Sequence, residues 1–409
     1  MNAKRRTGFD HLNVARRECE EKGVPFSRKL PGLAPATAIL RAMATTRVKI
    51  FGAGSAGNHL ANACRSMNFD VVVCDVDDKA LGRMFKDIYP NRYGRWDPAI
   101  QLFTNDKAPK GGFDYIFVAT PPEHQMALAM EALAEKPRAI LVEKTPCPPH
   151  MELAHEVFES ARSSGIRAFA GYDHLVWRAQ EMAEEQVTGR AIGDVLTVDV
   201  EFREHWKPVL DAHPWWTGPG DAWLGHWERG GGASGEHSSA LNLWQHWAHM
   251  LGKGRVAEVE AMVTYVNDAR SHYDSILTMN LRSPKGLQGR VVQDVITRPA
   301  RKVANIQGTE GRIEWVANLT ASGDAVYLYR PGMPDKITPV HKKRPEDFIA
   351  VVRHVWATVK DNKPSVLDLQ RGLDTALVLA AAHESEARKA RVRIDWTVGY
   401  TPEAIVTCG

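Results

Sequence analysis

The segment Gly52-Ala53-Gly54-Ser55-Ala56-Gly57 follows the β-branched run VKIF and opens a stretch of helical periodicity from Ala56 to Met67. Few folds accommodate three glycines at this spacing between a buried strand and a helix. Gly52 permits a tight turn, Gly54 lets a ligand's phosphates approach the backbone, and Gly57 lets helix and strand pack closely. The helix start adds free N–H donors and partial positive charge, which brings Ser55 and Ala56 to the same phosphates. An acidic residue is expected about twenty residues further on, at the end of the next strand, to hold an adenosine ribose. Asp75, in VVVCD, stands there. Its carboxylate accepts from both ribose hydroxyls and repels a 2′-phosphate, so the implied cofactor is NAD, with NADP less favoured. Asp77 and Asp78 suit a solvated helix start.

From Arg47 onward short apolar runs alternate with helical stretches: VKIF, DVVVCD with Asp78 to Phe85, DYIFVAT with Glu123 to Ala134, and AILVEK. This is the pattern of a doubly wound parallel sheet in an α/β fold, the Rossmann arrangement. After RAFAGY the texture changes to longer alternating segments (DVLTVDVEF, EVEAMVTYV, SILTMNL, GRVVQDVIT), which read as a large, mostly antiparallel sheet. Amphipathic helices near Pro345 to Val359 and Leu367 to Ala390 follow. The expected division is an N-terminal appendage over 1–42, a dinucleotide-binding domain over 43–170 and an α+β substrate and oligomerisation domain over 171–409. Met43 is an alternative start, because the first strand begins almost at once after it.

Composition narrows the class further. With 44% hydrophobic and 25% charged residues among 409, the chain is globular. A net charge of +3 and no basic run interleaved with aromatics argue against nucleic acid as a partner. No apolar run reaches membrane-spanning length and no signal peptide opens the chain, so the expectation is a cytoplasmic protein. The five cysteines (Cys19, Cys64, Cys74, Cys147, Cys408) lack metal-type spacing and read as free thiols, and no metal is expected.

GAGSAG with His59 close behind, ATPPEH (Ala119 to His124), EKTP (Glu143 to Pro146), AGYDH (Ala170 to His174) and GGGASGEH (Gly230 to His237) occur in an order that resembles the Gfo/Idh/MocA oxidoreductases. The similarity runs from about Thr46 to Trp396. It implies hydride transfer at a carbinol carbon of a sugar, nucleotide sugar or inositol-like compound, and a homodimer or homotetramer built on the second sheet. It also implies cofactor contacts at Thr120, Pro121, His124 and Glu143.

Oxidation of an alcohol needs a hydride acceptor on one side and a group that takes the hydroxyl proton on the other. Lys144 follows the strand AILVE at the carboxyl edge of the sheet and matches the lysine of the family's EKP motif, with Thr145 inserted before the proline. Its ammonium is suited to stabilising developing alkoxide charge. Where the family carries an acid and, four positions on, a histidine or tyrosine, this chain has Glu236 and then Ala240. Glu236 takes the acid position by resemblance. His237 is the nearest imidazole and a candidate base on chemical grounds, and Asn242 enters if the alignment slips by two. Tyr172, Asp173 and His174 match substrate-contacting positions. Seven of the twelve tryptophans lie between Trp206 and Trp247. Trp244 and Trp247, on a helical stretch, read as core, whereas those in HPWWTGPGDAWLGHW are expected at a substrate mouth or subunit interface. Two other functions remain open: an NAD-dependent glycoside hydrolase, and a non-catalytic NAD- or sugar-sensing protein, the latter suggested by Ala240.

Overall fold

Runs of Val, Ile and Ala without polar alternation leave no face for water, and here they become strands covered on both sides. β1 (Arg47–Phe51), β2 (Asp70–Asp75), β3 (Ile100–Thr104), β4 (Tyr115–Val118), β5 (Ala139–Val142) and β6 (Arg167–Ala170) form a parallel sheet in the order β3-β2-β1-β4-β5-β6. Every residue of β4 and β5 is buried. The half-exposed edge strand β3 was not anticipated, since its IQLFT pattern is neither a continuous apolar run nor a clean alternation. The strand order reverses between β1 and β4, and a crevice opens at the carboxyl ends on either side of that switch. This computed structural model describes residues 45–320 and 323–408, and from Thr46 onward they make one compact unit. The expected appendage over 1–42 and the alternative start at Met43 lie outside the described residues.

Five helices flank this sheet: α1 (Ser55–Ser66), α2 (Asp78–Arg83), α3 (Tyr89–Tyr93), α4 (Pro122–Ala134) and α5 (Ala154–Ser164). A π-helical turn over Met84–Ile88 joins α2 to α3, so the helix expected to stop at Phe85 carries on to Gly94, whose φ of 85° ends it.

After α6 (Arg178–Thr188), the second sheet uses β7 (Val195–Arg203), β8 (Glu258–Asn267), β9 (His272–Arg282), β10 (Gln288–Asp294), β11 (Arg301–Gly308), β12 (Arg312–Thr320), β13 (Gly323–Tyr329), β14 (Lys336–His341), β15 (Val392–Ile394) and β16 (Ile405–Thr407). Their order is β14-β13-β12-β11-β7-β10-β9-β8-β15-β16, and all pairs are antiparallel except β7 with β10. The two-sheet α/β architecture is the one expected. Between β7 and β8 the chain makes α7 (Lys207–Asp211), α8 (Gly232–Glu236) and α9 (Ser239–Met250). Trp244 and Trp247 of α9 are fully buried, as read from the sequence, and the Trp244 indole N–H donates to the Val198 carbonyl at 2.8 Å.

α10 (Glu346–Asp361) and α11 (Leu369–Arg388) follow the sheet. α10 crosses back to pack on α1, nearly three hundred residues earlier. Val351, Val352 and Val355 are buried in that region, each contributing about 1.5–3 kcal/mol by leaving water. This return brings residues 344–351 to the mouth of the glycine loop.

Candidate active site

The glycine loop is shaped by what its residues touch. Gly52 has φ of 105°, and a Cβ there would lie 2.3 Å from the Ala119 carbonyl oxygen. A Cβ on Gly57 would lie 1.9 Å from the Gly52 carbonyl oxygen, so β1, β4 and α1 meet closely only because these residues are glycine. Gly54 differs: nothing stands within 4 Å of its Cβ position. Gly54 is also the N-cap of α1 and offers no side-chain acceptor, leaving the first-turn N–H groups for a ligand.

Asp75 stands at the end of β2, and its two carboxylate oxygens accept from the Ala53 N–H at 2.8 Å and the Asp77 N–H at 2.9 Å. The carboxylate therefore braces the glycine loop and keeps lone pairs for a ribose. A continuous cleft of about 1250 Å³ runs from Asp75, Gly52, Gly54, Ser55 and Ala56 past Thr120, Pro121 and His124 to Glu143, Lys144, Asp173 and Glu236. That exceeds the ~300–1,000 Å³ of an ordinary small-molecule pocket and suits a dinucleotide with a second molecule beyond it. The open edge at Gly54, the donors of α1 and the carboxylate at the end of β2 together fit NAD.

Lys144 and Glu236 meet across the two halves. The Lys144 ammonium donates to the Glu236 main-chain carbonyl at 2.7 Å and stands 3.6 Å from the Glu236 carboxylate. Thr145 binds the same turn, its hydroxyl donating to the Gly235 carbonyl at 3.1 Å. Burial alone would raise the Glu236 pKa, but Lys144, His237 and Lys302 outweigh it, so the carboxyl titrates below the ordinary range. Glu143, one residue before Lys144, goes the other way: burial, and then the neighbouring Asp173, push it up to about 7. Asp173 is held low, because Lys342, His174, Arg344 and Lys144 together overcome its burial.

Glycines also bring α8 to this place. Gly232 has φ of 75°, and a Cβ there would lie 1.7 Å from Asp274 Oδ1, while one on Gly230 would strike the Pro122 ring at 2.7 Å. Asp274 Oδ2 accepts the Ser234 N–H at 2.7 Å and Oδ1 accepts its hydroxyl at 3.0 Å. Arg229, just ahead, grips Glu123 of α4 with two bonds of 2.5 Å. The short helix that ends in Glu236 is thus fastened to β9 on one side and to α4 on the other.

Four of the expected site residues lie behind the wall of the cleft. The His237 ring is buried, with Nε2 3.4 Å from the Glu204 carbonyl, and burial followed by Lys302 pushes it down to about 4. Tyr172 is only 1% exposed. His174 is buried as a neutral ring, pushed down to about 3. Asn242 donates to the Thr375 hydroxyl at 2.9 Å and ties α9 to α11. For these residues a strand end or helix start was identified correctly, but the side chain points into the core.

Other cleft residues were assigned no role from the sequence, His59 among them although it stood in the motif pattern. His59 of α1 shares a hydrogen bond of 2.5 Å with the Tyr93 hydroxyl through Nδ1 and stacks on Phe348 of α10 at 4.6 Å. Arg92, Arg344, Lys302 and Glu204 also line the cleft, the last two as an ion pair. No spacing rule marks them; they come from segments that meet only in the folded chain. The tryptophan cluster did carry a signal. Trp215, Trp216 and Trp223 line the cleft, with Trp216 stacked on His213 at 4.3 Å. Trp227, expected with them, instead stacks on buried His383.

Residues 181–314 match the family model of the GFO/IDH/MocA C-terminal domain. The resemblance first read from motifs is borne out over these residues, which carry β7 to β11 of the second sheet. Over 86% of the chain the fold is shared with solved oxidoreductases. One, from Agrobacterium radiobacter in complex with NAD+, L-tartaric acid and magnesium, is 18% identical with a TM-score of 0.69 and matches 86% of this chain and 98% of that one. Levoglucosan dehydrogenase in complex with NADH and levoglucosan is 16% identical with a TM-score of 0.69, over 86% of this chain and 100% of that one. The WlbA dehydrogenase from Bordetella pertussis, in complex with NADH and UDP-GlcNAcA, is 18% identical with a TM-score of 0.66, over 86% and 99%. No curated protein sequence matches this chain. Among the described residues, no helix is long and apolar enough to cross a membrane.

Proposed function

We propose that the protein is an NAD-dependent dehydrogenase or reductase that acts at a carbinol carbon of a sugar, nucleotide sugar or inositol-like substrate. The observation that carries this reading is the single cleft joining the glycine loop and Asp75 to the Lys144–Glu236 pair. Bound NAD supplies the hydride acceptor or, reduced, the donor. The chain's own residues do the rest. Gly54, Ser55 and Ala56 hold the diphosphate and Asp75 the adenosine ribose, which favours NAD over NADP. Thr120, Pro121 and His124 support the dinucleotide along the carboxyl edge, and Glu143 and Asp173 border the reacting end.

Lys144 places its ammonium against the reacting oxygen and stabilises charge as it develops, while ionised Glu236 keeps that ammonium aimed and handles the hydroxyl proton with it. His237, buried behind Glu236, acts as a neutral brace. Trp216 and Trp223 offer ring faces to a hydroxylated substrate. A cytoplasmic homo-oligomer built on the second sheet fits this reading.

The test is absorbance of NADH during incubation with a panel of sugars, sugar acids, inositols and nucleotide sugars, followed by Lys144→Ala on the substrate found. Turnover is expected to fall on the order of a hundredfold, with NADH affinity within about twofold of the parent, as the lysine lies beyond the diphosphate cradle. Near-parental turnover in Lys144→Ala overturns the assignment.

A further inference from the structure

Among the described residues, Arg92 is the one cleft-lining cation whose bonds all end at the glycine loop. It sits near the end of α3, half-buried, and its guanidinium donates to the Ser55 hydroxyl at 2.9 Å and the Ser55 carbonyl at 3.1 Å. Among the described residues it makes no ion pair, in contrast to Arg83 with Asp77, Arg344 with Asp347 and Lys302 with Glu204. A half-buried guanidinium has surrendered part of its hydration and gains little from a neutral hydroxyl. Its neighbours hold it in place. Tyr93, the next residue, is bonded to His59 of α1 at 2.5 Å, and His59 stays neutral, pushed down to about 3 by burial, then Arg92 and Arg344. Helix α1 therefore carries no competing cation or anion at this point.

We infer that Arg92 is a diphosphate ligand of the dinucleotide, supplying from α3 a charged, forked donor that the glycine loop itself lacks. This rests on the proposed dinucleotide site and adds to it a residue outside the loop and the Ser55 first turn. Ser55 orients the fork, and the backbone N–H groups of α1 and the guanidinium then approach the phosphate oxygens from two sides. The loop's own donors are neutral amides. Arg92 therefore supplies the salt-sensitive part of cofactor binding.

The experiment compares parent, Arg92→Met and Arg92→Lys for NADH by fluorescence titration, and for ADP-ribose and adenosine by competition, at low and high salt. Loss of a charge-assisted contact predicts ~10- to 100-fold weaker NADH and ADP-ribose binding by Arg92→Met, a smaller loss for Arg92→Lys, adenosine binding unchanged, and a shallower salt dependence than the parent's. NADH affinity of Arg92→Met within twofold of the parent overturns the inference. So does a parallel loss of adenosine binding, which marks a distorted domain and not a missing phosphate contact. A parent that binds neither NADH nor ADP-ribose overturns the dinucleotide reading itself, and the role of Arg92 with it.

Discussion

Two glycine-rich turns serve the cleft, and Gly54 in one and Gly232 in the other put glycine to opposite uses. In the first, Gly54 leaves its Cβ position empty to 4 Å, so the missing side chain makes room for something that is not protein. In the second, the Cβ position of Gly232 is 1.7 Å from Asp274 and that of Gly235 is 1.8 Å from the Gly230 carbonyl oxygen, so the missing side chains make room for the chain itself. One turn is open to a ligand. The other delivers Glu236 to Lys144. Glycine content alone does not distinguish the two; what stands beside each Cβ does.

The largest effect should come from the second turn. Gly232→Ala adds a methyl group at positive φ directly against the buried Asp274 carboxylate. Left-handed backbone costs ~1–2 kcal/mol and the overlap ~1–3 kcal/mol more. A urea titration should show a loss of roughly 3 kcal/mol or a failure to accumulate folded protein. Because α8 must shift, turnover should vanish with it. A variant with parental stability would mean that α8 is not fastened to β9 as described.

The same region dominates the expected pH dependence. His59, His174 and His383 are each pushed down to about 3 by burial, and His237 to about 4. A lowered imidazole contributes stability that is full above its ordinary value near 6.5 and is lost as pH falls toward the folded value. Asp274 and Glu143 are raised to about 7, chiefly by burial. Their contribution is full below their ordinary values near 4 and is lost as pH rises through 7. Between these limits the lowered imidazoles, joined by His213 and His354, outnumber the raised carboxyls, joined by Asp324 and Asp347, so stability should climb from pH 4.5 and level off near pH 7. Of these groups all but His59 and Glu143 lie after residue 170. Urea midpoints measured from pH 4.5 to 8 check this, and a maximum near pH 5 would contradict the burial of the imidazoles.

What the sequence made legible follows the same division. The first turn is local: strand, turn, helix and the acidic residue on the next strand lie within one short segment, and each has its own periodic signal. Gly52, Gly54, Gly57 and Asp75 could therefore be found by spacing. Lys144 was legible because the carboxyl end of β5 is a position defined by one strand. Arg92 and Arg344 were not, because they reach the site through the π-helical turn before α3 and the return of α10 to α1, contacts that no periodicity encodes. Tyr172, His174 and Asn242 show the complementary failure. Spacing located the end of β6 and the start of α9, but a strand end or helix turn offers several side-chain directions, and burial of the aromatic and amide groups decided theirs.

Gly54→Ala tests the first turn and should be milder. The backbone there, φ −75° and ψ −165°, suits any residue, and no protein atom meets the new methyl group. Stability should stay within ~0.5 kcal/mol of the parent, while NADH affinity falls about tenfold, ~1.4 kcal/mol, because the methyl group occupies the edge that the diphosphate approaches. Opposite results for Gly54→Ala and Gly232→Ala, one losing ligand and the other losing fold, would establish the contrast. Unchanged NADH affinity in Gly54→Ala would break it.

The smallest effect belongs to Asp75, which serves both purposes at once. Its oxygens brace the glycine loop through the Ala53 and Asp77 N–H groups, and their remaining lone pairs face the cleft. Asp75→Asn keeps the shape and one acceptor while removing the charge, so the loop should lose no more than ~1 kcal/mol, the net value of one hydrogen bond. The charge matters more to the ligand: its removal ends the repulsion of a 2′-phosphate, and NADPH affinity should gain on NADH by severalfold to about tenfold. Fluorescence titration of both cofactors against the parent and Asp75→Asn measures the ratio directly, and the urea midpoint measures the brace. A fallen midpoint with an unchanged NADPH-to-NADH ratio would mean that the carboxylate is spent on holding the turn. The choice between the two cofactors would then rest with other cleft residues near the end of β2, of which Arg83 is the nearest cation in sequence.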